Sequence, residues 1–348
     1  MNDTVAEEIL FERRGHAGIA TLNRPKALNA VTHSMVDALA AQLAEWAADD
    51  AVKVVVIRGE GRAFSAGGDI LDVYRAGKAG ERPVGFFADE YRLNAAIRRF
   101  PKPYVALIDG IVMGGGFGLS FHGSHRIVGE KALFAMPEVG IGFFPDVGGS
   151  YVLSRLKGGF GMYLALTATR IGPGELLWSG LATGAVASAD LDAVLHDIAE
   201  AGDPAAALKG RAINPERQIN EARIAAIGHH FTRGSLEDTV ASLRQAADSG
   251  DDFAAATLQT MVTKSPTSLH VTFRQIAAGA MLSMDDCMRM EYRILNRMLA
   301  GRDFYEGIRA VLVDKGDTPK WDPATLAEVS DDDVEAYFAP LPEGELEL

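Results

Sequence analysis

The sequence has a single cysteine, no long apolar run and fewer basic than acidic residues. One cysteine, Cys287, cannot form an internal disulfide and has no metal-ligand spacing around it, which fits a buried residue in a reducing compartment. No apolar run reaches the roughly 18–20 residues of a membrane-spanning helix. The N-terminus MNDTVAEEIL is acidic and lacks a signal-peptide core, so we expect a cytoplasmic protein with no membrane partner.

The sequence also has an excess of negative charge and lacks several familiar motifs. The formal net charge is −13, which argues against binding a phosphate backbone, so we expect no nucleic-acid partner. The sequence contains neither a GxGxxG dinucleotide fingerprint nor a Walker A motif. It also lacks the GxSxG motif of serine hydrolases and the HExxH motif of zinc proteases. The chemistry must therefore depend on other residues.

The first half of the chain alternates between strand-like and helix-like segments. EILFER and GIATLN predict a hairpin. A helix follows, with Thr32 as its N-cap and with Val36, Leu39, Leu43 and Trp46 at helical spacing.

Two fully apolar segments, VKVVVIRG and PYVALIDG, are typical of buried parallel strands. Helical segments are expected between them, around residues 70–77 and 84–99. This order predicts an α/β fold in which helices flank a parallel sheet and functional loops follow the strands. From about residue 186 the sequence becomes alanine-rich and helical, and the final segment APLPEGELEL has the composition of a frayed tail.

Two glycine-rich loops are the most unusual feature of the sequence. MGGGFG begins at Met113 and FSAGGDI begins at Phe64, and each loop is expected to end in a helix. Backbone N–H groups at such helix starts lack partners and can polarise a carbonyl oxygen, as in an oxyanion hole. Two tight turns with close helix packing would explain the same glycines, and sequence physics alone does not separate the two interpretations.

The resemblance to a known family covers nearly the whole chain. NRPKALNA, GRAFSAGGDI, GIVMGGGFGLS and FAMPEVGIGFFPDVGGSYVLSRL, in this order, resemble the crotonase (enoyl-CoA hydratase/isomerase) superfamily. PVGFFADEYRLNAAI, KSPTSLHVTFRQ and DFYEGIRAVLVDK resemble its 3-hydroxyisobutyryl-CoA hydrolase branch. The resemblance implies a crotonase-like ββα spiral core over residues 1–186, which binds acyl-CoA. A helical region over residues 187–348 would complete the site or form oligomer contacts.

The resemblance also implies roles for the two loops. Gly68 and Gly115 would donate the N–H groups that hold the thioester oxygen. The backbone of Ala66 would meet the adenine of CoA, and Lys26 would lie near its phosphates, although a loop lysine is more often a solvated charge.

Carboxylates decide which reaction of the superfamily is expected. Hydratases of this superfamily usually use two glutamates; here the first position is Gly118 and the second is Glu138. Loss of one carboxylate weakens the hydratase interpretation. Asp146 stands where many hydratases have glycine and where the hydrolase branch has an acid. From residue type alone, Asp146 would cap the helix expected near Gly149.

Two further acids have competing interpretations. Glu90 lies in an amphipathic helical segment, where a glutamate ordinarily faces solvent and pairs with an arginine. The hydrolase resemblance implies instead that Glu90 accepts a hydrogen bond from the acyl hydroxyl of the substrate. Asp69 follows the first glycine loop and is expected to cap a helix.

The resemblance implies hydrolysis of 3-hydroxyisobutyryl-CoA, a step of valine breakdown, with CoA as part of the substrate and with no metal or separate cofactor. Glu138 would attack the thioester or activate water, while Asp146 would position water or Glu138 and assist proton transfer. The alternatives are an enoyl-CoA hydratase or isomerase that uses Glu138 alone, and a non-catalytic acyl-CoA-binding scaffold. We expect a homo-oligomer.

Overall fold

A computed structural model describes residues 7–342 and 344–348. The chain divides into two compact units that alternate along the sequence. The first unit combines Met1–Asp69, as far as it is described, with Arg92–Phe134 and Ile171–Gln218. The second combines Ile70–Tyr91, Ala135–Arg170 and Ile219–Leu348. The domain boundary after residue 186 stays a prediction.

The strands lie in two sheets. In chain order they are β1 (Ile9–Arg14), β2 (Ala17–Leu22), β3 (Val54–Gly59), β4 (Ala63–Ser65), β5 (Tyr104–Ile108), β6 (Ile111–Met113), β7 (His125–Val128), β8 (Leu133–Ala135) and β9 (Gly184–Ala185). Among the described residues, the larger sheet has the order β1-β2-β3-β5-β7-β9 and the smaller has the order β4-β6-β8. The hairpin of β1 and β2 is antiparallel, as predicted, and the other pairs of the larger sheet are parallel.

The α-helices occupy most of the second half of the chain. They are α1 (His33–Ala48), α2 (Ile70–Lys78), α3 (Val84–Arg98), α4 (Gly115–Ser120), α5 (Gly149–Leu153), α6 (Phe160–Thr167), α7 (Pro173–Ser179), α8 (Leu191–Ala201), α9 (Pro204–Leu208), α10 (Glu221–Phe231), α11 (Leu236–Asp248), α12 (Asp252–Met261), α13 (Pro266–Gly279), α14 (Met284–Met298), α15 (Asp303–Ile308) and α16 (Asp331–Phe338). Short 3₁₀ helices span Pro25–Ala27, Glu138–Ile141, Ser188–Asp190 and Leu326–Glu328, and a π-helix spans Arg309–Val313. The helices predicted around residues 70–77 and 84–99 are confirmed as α2 and α3.

The core of the first unit follows from the alternation of side chains along its strands. Alternate apolar residues of β2, β3 and β5 pack towards α8 and α9, because successive side chains of a strand point to opposite faces. This core contains Ala17, Ile19, Val54, Val56, Val105, Leu107, Ile127, Val186, Val194, Leu195, Ile198, Ala199 and Ala207. The prediction of a parallel sheet flanked by helices is therefore confirmed.

Helix α1 begins where the sequence predicts. The Thr32 side chain accepts a hydrogen bond from the Met35 N–H, as an N-cap residue does. The four apolar residues at helical spacing are all buried: Val36, Leu39, Leu43 and Trp46.

The glycine loops are placed differently from the sequence prediction. They were expected to follow the long strands β3 and β5, but each follows a three-residue strand, β4 or β6. These two strands pair in parallel in the smaller sheet, which brings the loops side by side.

The prediction of a frayed C-terminal tail is wrong for the part that is described. Arg293 of α14 forms an ion pair with Glu345 at 2.9 Å, and the Leu346 side chain is buried. Composition suggested fraying because it does not show contacts with α14, such as that of Arg293, which lies 52 residues before Glu345. None of the described helices is long and apolar enough to cross a membrane.

Candidate active site

The first glycine loop is held by a single parallel bridge. The Val31 N–H donates to the Gly67 carbonyl at 2.8 Å, and the Asp69 N–H donates to the Val31 carbonyl at 2.8 Å. These bonds flank Gly68, so its own N–H points away from Val31. Within the described residues the Gly68 N–H has no acceptor. It is thus free to donate to a ligand.

The second glycine loop turns directly into α4. Gly114 has a φ of 45°, and the helix begins at Gly115, whose N–H belongs to the first turn and has no intrahelical acceptor. Helix α4 lies directly on β4, because a Cβ at Gly116 would come within 2.7 Å of the Ser65 carbonyl oxygen. This close approach explains why the MGGGFG segment has glycine, which lacks a side chain, at position 116.

The two loops also approach each other. A Cβ built on Gly67 would lie 3.6 Å from the Met113 carbonyl oxygen and 3.9 Å from the Gly115 nitrogen. Backbone N–H groups of both loops therefore lie in one region of the first unit. This arrangement is what a carbonyl-binding site requires.

Two polar side chains that the sequence reading did not single out hold the neighbouring NRPKALNA turn. The buried Asn29 amide donates to the Glu60 and Ala63 carbonyl oxygens at 2.9 and 2.8 Å. Arg24 donates to the Asp69 carboxylate at 3.0 Å and to the Ala30 carbonyl at 2.6 Å. A polar side chain in a loop gives little sequence signal, because the same residue types are common on solvated surfaces.

This turn carries Lys26 and lies beside the first glycine loop. Lys26 is exposed in the 3₁₀ helix Pro25–Ala27. The Ala66 N–H donates to the Leu28 carbonyl at 2.9 Å, so the backbone group that Ala66 keeps for a ligand is its carbonyl oxygen. Asp69, expected as a helix cap, is instead an ion-pair partner of Arg24.

In the second unit, acidic side chains collect in a buried cluster. We use the name acid cluster for Glu90, Glu138, Asp146 and Glu291, each of which is at most 6 % exposed. They come from α3, the 3₁₀ helix Glu138–Ile141, the loop before α5, and α14. Ionised carboxylates are rarely buried without partners, so the cluster is a candidate functional site.

Burial raises the pKa of every member of the acid cluster, and the charges of the neighbouring acids add to this effect at Asp146. Burial raises the pKa of Glu90 and of Glu138 to about 8 each, and that of Glu291 to about 7. Burial also raises the pKa of Asp146 well above its usual range, with further contributions from the charges of Glu90, Glu138 and Glu291. The expectation that burial and repulsion would raise at least one of the pKa values of Glu138 and Asp146 is confirmed.

Two carboxylate oxygens of the acid cluster have no protein partner. Glu90 Oε1 and Glu138 Oε2 are buried and make no hydrogen bond to any described residue. A buried acceptor without a donor costs roughly 1–3 kcal/mol, so these oxygens are suited to a ligand or water. The interpretation of Glu90 as a solvent-facing residue is wrong, because its side chain is only 2 % exposed.

Asp146 does not cap the following helix. Helix α5 has Gly148 as its N-cap residue, without a side-chain cap. The Asp146 carboxylate instead accepts a hydrogen bond from the Tyr91 hydroxyl at 2.9 Å. The capping acceptor is Glu291, which receives the Gly148 N–H at 2.8 Å and the Ser150 N–H at 3.0 Å. Residue type alone predicted Asp146 as the cap of α5. The sequence does not show that Glu291, far along the chain, accepts these N–H groups instead.

Helix α4 contains no carboxylate residue. The position at which the resemblance would place the first hydratase glutamate is Gly118, which is buried within α4. The sequence does not single out Tyr91 or Glu291, since both occur on helices whose pattern indicates only amphipathic packing.

Comparisons with known proteins place the chain in a family. A family model described as enoyl-CoA hydratase/isomerase matches residues 17–338. The 3-hydroxyisobutyryl-CoA hydrolase, mitochondrial, of Danio rerio is 44% identical over 360 aligned positions, which cover 100% of this chain and 94% of that protein. The protein of the same name from Homo sapiens is 41% identical, covering 99% of this chain and 91% of its own length.

Solved structures show the same fold. A carnitinyl-CoA dehydratase from Mycobacterium thermoresistibile has a TM-score of 0.92 at 43% identity, with 98% of each chain covered. An enoyl-CoA hydratase from Rhodobacter sphaeroides has a TM-score of 0.87 at 36% identity, covering 98% of this chain and all of that one. The predicted crotonase-like α/β fold is therefore confirmed. The mitochondrial names of the curated relatives do not support the cytoplasmic expectation.

The glycine loops, the acid cluster and these full-length similarities lead to one assignment: the chain belongs to the enoyl-CoA hydratase/isomerase family.

Proposed function

We propose that this protein hydrolyses the thioester of 3-hydroxyisobutyryl-CoA to 3-hydroxyisobutyrate and free CoA, in valine breakdown. The observation that carries the proposal is the buried pair of Glu138 and Asp146, combined with Gly118 in place of a second hydratase glutamate. Hydrolases with 41% to 44% identity over nearly the whole chain support the same reaction.

The thioester oxygen accepts hydrogen bonds from the N–H groups of Gly68 and Gly115. Both groups lack a partner in the described protein, and both belong to loops that lie side by side. They stabilise the negative charge that develops on the oxygen as the carbonyl carbon becomes tetrahedral. Removing one such donor typically lowers the rate roughly 10²–10³-fold.

Glu138 supplies either the nucleophile or the base. As nucleophile, its carboxylate bonds to the carbonyl carbon, the C–S bond breaks, and CoA leaves as a thiolate that takes up a proton. Water then cleaves the resulting anhydride and restores the carboxylate. As base, Glu138 removes a proton from water while the water oxygen bonds to the carbonyl carbon; the C–S bond then breaks, and the CoA thiolate takes up the proton from Glu138. Asp146 positions the water or Glu138 and assists proton transfer in either route.

The remaining predicted residues bind the substrate. The unpartnered Glu90 oxygen accepts a hydrogen bond from the acyl hydroxyl. The Ala66 carbonyl oxygen accepts from the adenine amino group, because the Ala66 N–H is already bonded to Leu28. Lys26, exposed on the adjoining turn, attracts the phosphates of CoA. The reaction uses no metal and no cofactor beyond the CoA of the substrate, and the protein works as a homo-oligomer.

The second candidate is a hydratase or dehydratase of an acyl-CoA. It is favoured by the solved structures described as a carnitinyl-CoA dehydratase and an enoyl-CoA hydratase. Such a reaction would have to use Glu138 without the glutamate that Gly118 replaces. A non-catalytic scaffold is disfavoured, since it would gain nothing from several buried acids that lower stability.

One pair of assays distinguishes these functions. We expect the purified protein to release thiol from 3-hydroxyisobutyryl-CoA and to leave the absorbance of crotonyl-CoA unchanged. Glu175 provides a matched control variant: it is a buried glutamate in the first unit that accepts the Gln218 N–H at 2.5 Å. Glu175→Gln should retain activity. Hydration of crotonyl-CoA without thiol release would establish the second candidate, and inactivity with both substrates would favour the scaffold.

A further inference from the structure

The backbone that carries Asp146 has an unusual conformation. Val147 has a φ of 50° and Gly148 has a φ of 84°, so two successive residues after Asp146 are left-handed. A β-branched residue rarely adopts positive φ, and such strain persists only where surrounding contacts hold it. The direction of the Asp146 side chain therefore depends on what holds this turn.

Two buried side chains hold the turn from either side. Gln275 of α13 donates from Nε2 to the Pro145 carbonyl oxygen at 2.6 Å, immediately before Asp146. Glu291 of α14 accepts the Gly148 N–H through Oε2 and the Ser150 N–H through Oε1. The Ser150 hydroxyl also donates to Glu291 Oε1.

This arrangement goes beyond ordinary helix capping. A serine or aspartate at the N-cap would satisfy the first N–H groups of α5 locally. Here the acceptor lies 143 residues further along the chain, and both Gln275 and Glu291 are fully buried. The chemistry proposed above uses neither side chain directly.

We propose that Glu291 and Gln275 are positioning residues for hydrolysis: they clamp the backbone on both sides of Asp146 and so aim its carboxylate. The inference rests on the proposed function, because it assumes that Asp146 takes part in the reaction. The hydrogen bond from Tyr91 to Asp146 fixes the carboxylate itself, whereas Glu291 and Gln275 fix the backbone beneath it.

Glu291→Gln tests the clamp with little change in volume. Glutamine has one acceptor oxygen, so its amide group must face one of the two N–H donors that Glu291 accepts. We expect kcat to fall roughly 10–10²-fold, since a misplacement of about 1 Å has effects of that size, while KM stays within a few fold. Gln275→Leu removes the hydrogen bonds of Gln275 to the Pro145 carbonyl and to the Glu291 side chain. It should lower kcat by a smaller factor, because both N–H donors of the turn keep the Glu291 carboxylate as acceptor.

A double-mutant cycle separates positioning from simple stabilisation. If Glu291 acts through Asp146, the double variant Glu291→Gln/Asp146→Asn should have the same kcat as Asp146→Asn alone. A residue that only stabilises the fold would lower kcat by the same factor in both backgrounds, and that result would overturn the proposal. A kcat of Glu291→Gln within twofold of the unmodified protein would also overturn it, as would a fully active Asp146→Asn.

Further measurements keep the outcome clear. Amide hydrogen exchange of a peptide covering residues 145–152 should accelerate in Glu291→Gln and stay unchanged in the control Glu175→Gln; unchanged exchange in both would contradict the clamp. If Glu291→Gln does not fold, Ser150→Ala removes only the hydroxyl donor, and the same cycle with Asp146→Asn decides. Failure of the unmodified protein to hydrolyse 3-hydroxyisobutyryl-CoA would refute the proposed function itself, whereas normal hydrolysis by a folded Glu291→Gln would refute only the clamp.

Discussion

The glycine loops of the first unit and the acid cluster of the second are built in opposite ways. The loops present backbone N–H groups, and each loop is a short continuous segment next to its own strand. The acid cluster presents side chains that four separate segments bring together. Water can accept a hydrogen bond from a loop N–H group, so the loops do not depend on the exclusion of water. The acid cluster does, because burial raises the pKa values of its carboxyl groups. The N–H donors therefore depend on short local segments, whereas the acid cluster forms only when distant segments pack together.

The largest expected effect is at Glu138. Because Glu138 belongs to the acid cluster and not to the glycine loops, its substitution should abolish turnover without weakening CoA binding. Glu138→Gln removes the charge and nucleophilicity but keeps the shape, so turnover should fall roughly 10³-fold or more. CoA affinity, measured by calorimetry, should stay within a few fold, because the CoA contacts proposed above lie in the glycine-loop unit. A large loss of CoA affinity would contradict this prediction, because it would show that the acid cluster also contributes to CoA binding.

The backbone donor at Gly115 should give the next largest effect. Gly115 is the first residue of α4, a position that proline occupies readily, so Gly115→Pro removes the N–H with limited damage to the helix. We expect turnover to fall roughly 10²–10³-fold. Gly115→Ala, which keeps the N–H, is the matched control, and circular dichroism verifies folding of both. Equal activities of these variants would argue against a donor at this position.

Asp146 should show a smaller effect that depends on its hydrogen bond. Asn at this position can still accept from the Tyr91 hydroxyl, so Asp146→Asn should fold normally and lose roughly 10–10²-fold in kcat. The double variant with Glu138→Gln should lose much less than the product of the single losses, because the two acids act as a unit. Independent losses, measured in steady-state assays, would separate Asp146 from Glu138.

The smallest expected effect concerns stability and its dependence on pH. Because the pKa of Glu90 is raised to about 8, the folded state keeps a proton that the unfolded state releases, and Glu90 lowers stability as pH rises from about 4.5 through about 8. Glu90→Gln removes this penalty. Its stability gain over the unmodified protein, by urea denaturation, should grow over that range to a few kcal/mol at most, at about 1.4 kcal/mol per pKa unit.

Glu306 offers a control of opposite sign for that experiment. Hydrogen bonds from Arg309 lower the pKa of Glu306 to about 2. Glu306 therefore stabilises the folded state above about pH 4.5, and this contribution is lost as pH falls towards 2. Glu306→Gln should destabilise the protein near neutral pH and have less effect at low pH. A pH-independent difference for Glu90→Gln would contradict the raised pKa of Glu90.

Much of the fold was predictable because its signals are local. The hairpin of β1 and β2, the Thr32 cap and the buried strands β3 and β5 all follow from periodicity and capping within a few residues. The placement of the glycine loops was less accurate. The three-residue strands β4 and β6 are too short to produce a periodic pattern, so the loops were assigned to the longer strands before them.

The residues of the candidate site divide in the same way. The two loops and the family resemblance predicted Gly68 and Gly115 as site residues, and the resemblance predicted Glu138 and Asp146; the roles of all four stay predictions. The burial of Glu90 was not predictable from its charged surroundings. Tyr91, Gln275 and Glu291 were missed, because a polar residue on an amphipathic helix gives no sign of which distant turn it contacts.

The sequence by itself therefore determined the α/β architecture, the family and the two glycine loops, because each depends on neighbouring residues or on motifs of fixed spacing. Only the tertiary structure decided that Asp146 faces Tyr91, that Glu291 rather than Asp146 caps α5, and that four carboxylates share one buried region. Those contacts join residues up to 143 positions apart. Their energies depend on burial and on partner geometry, which arise only when the helices pack.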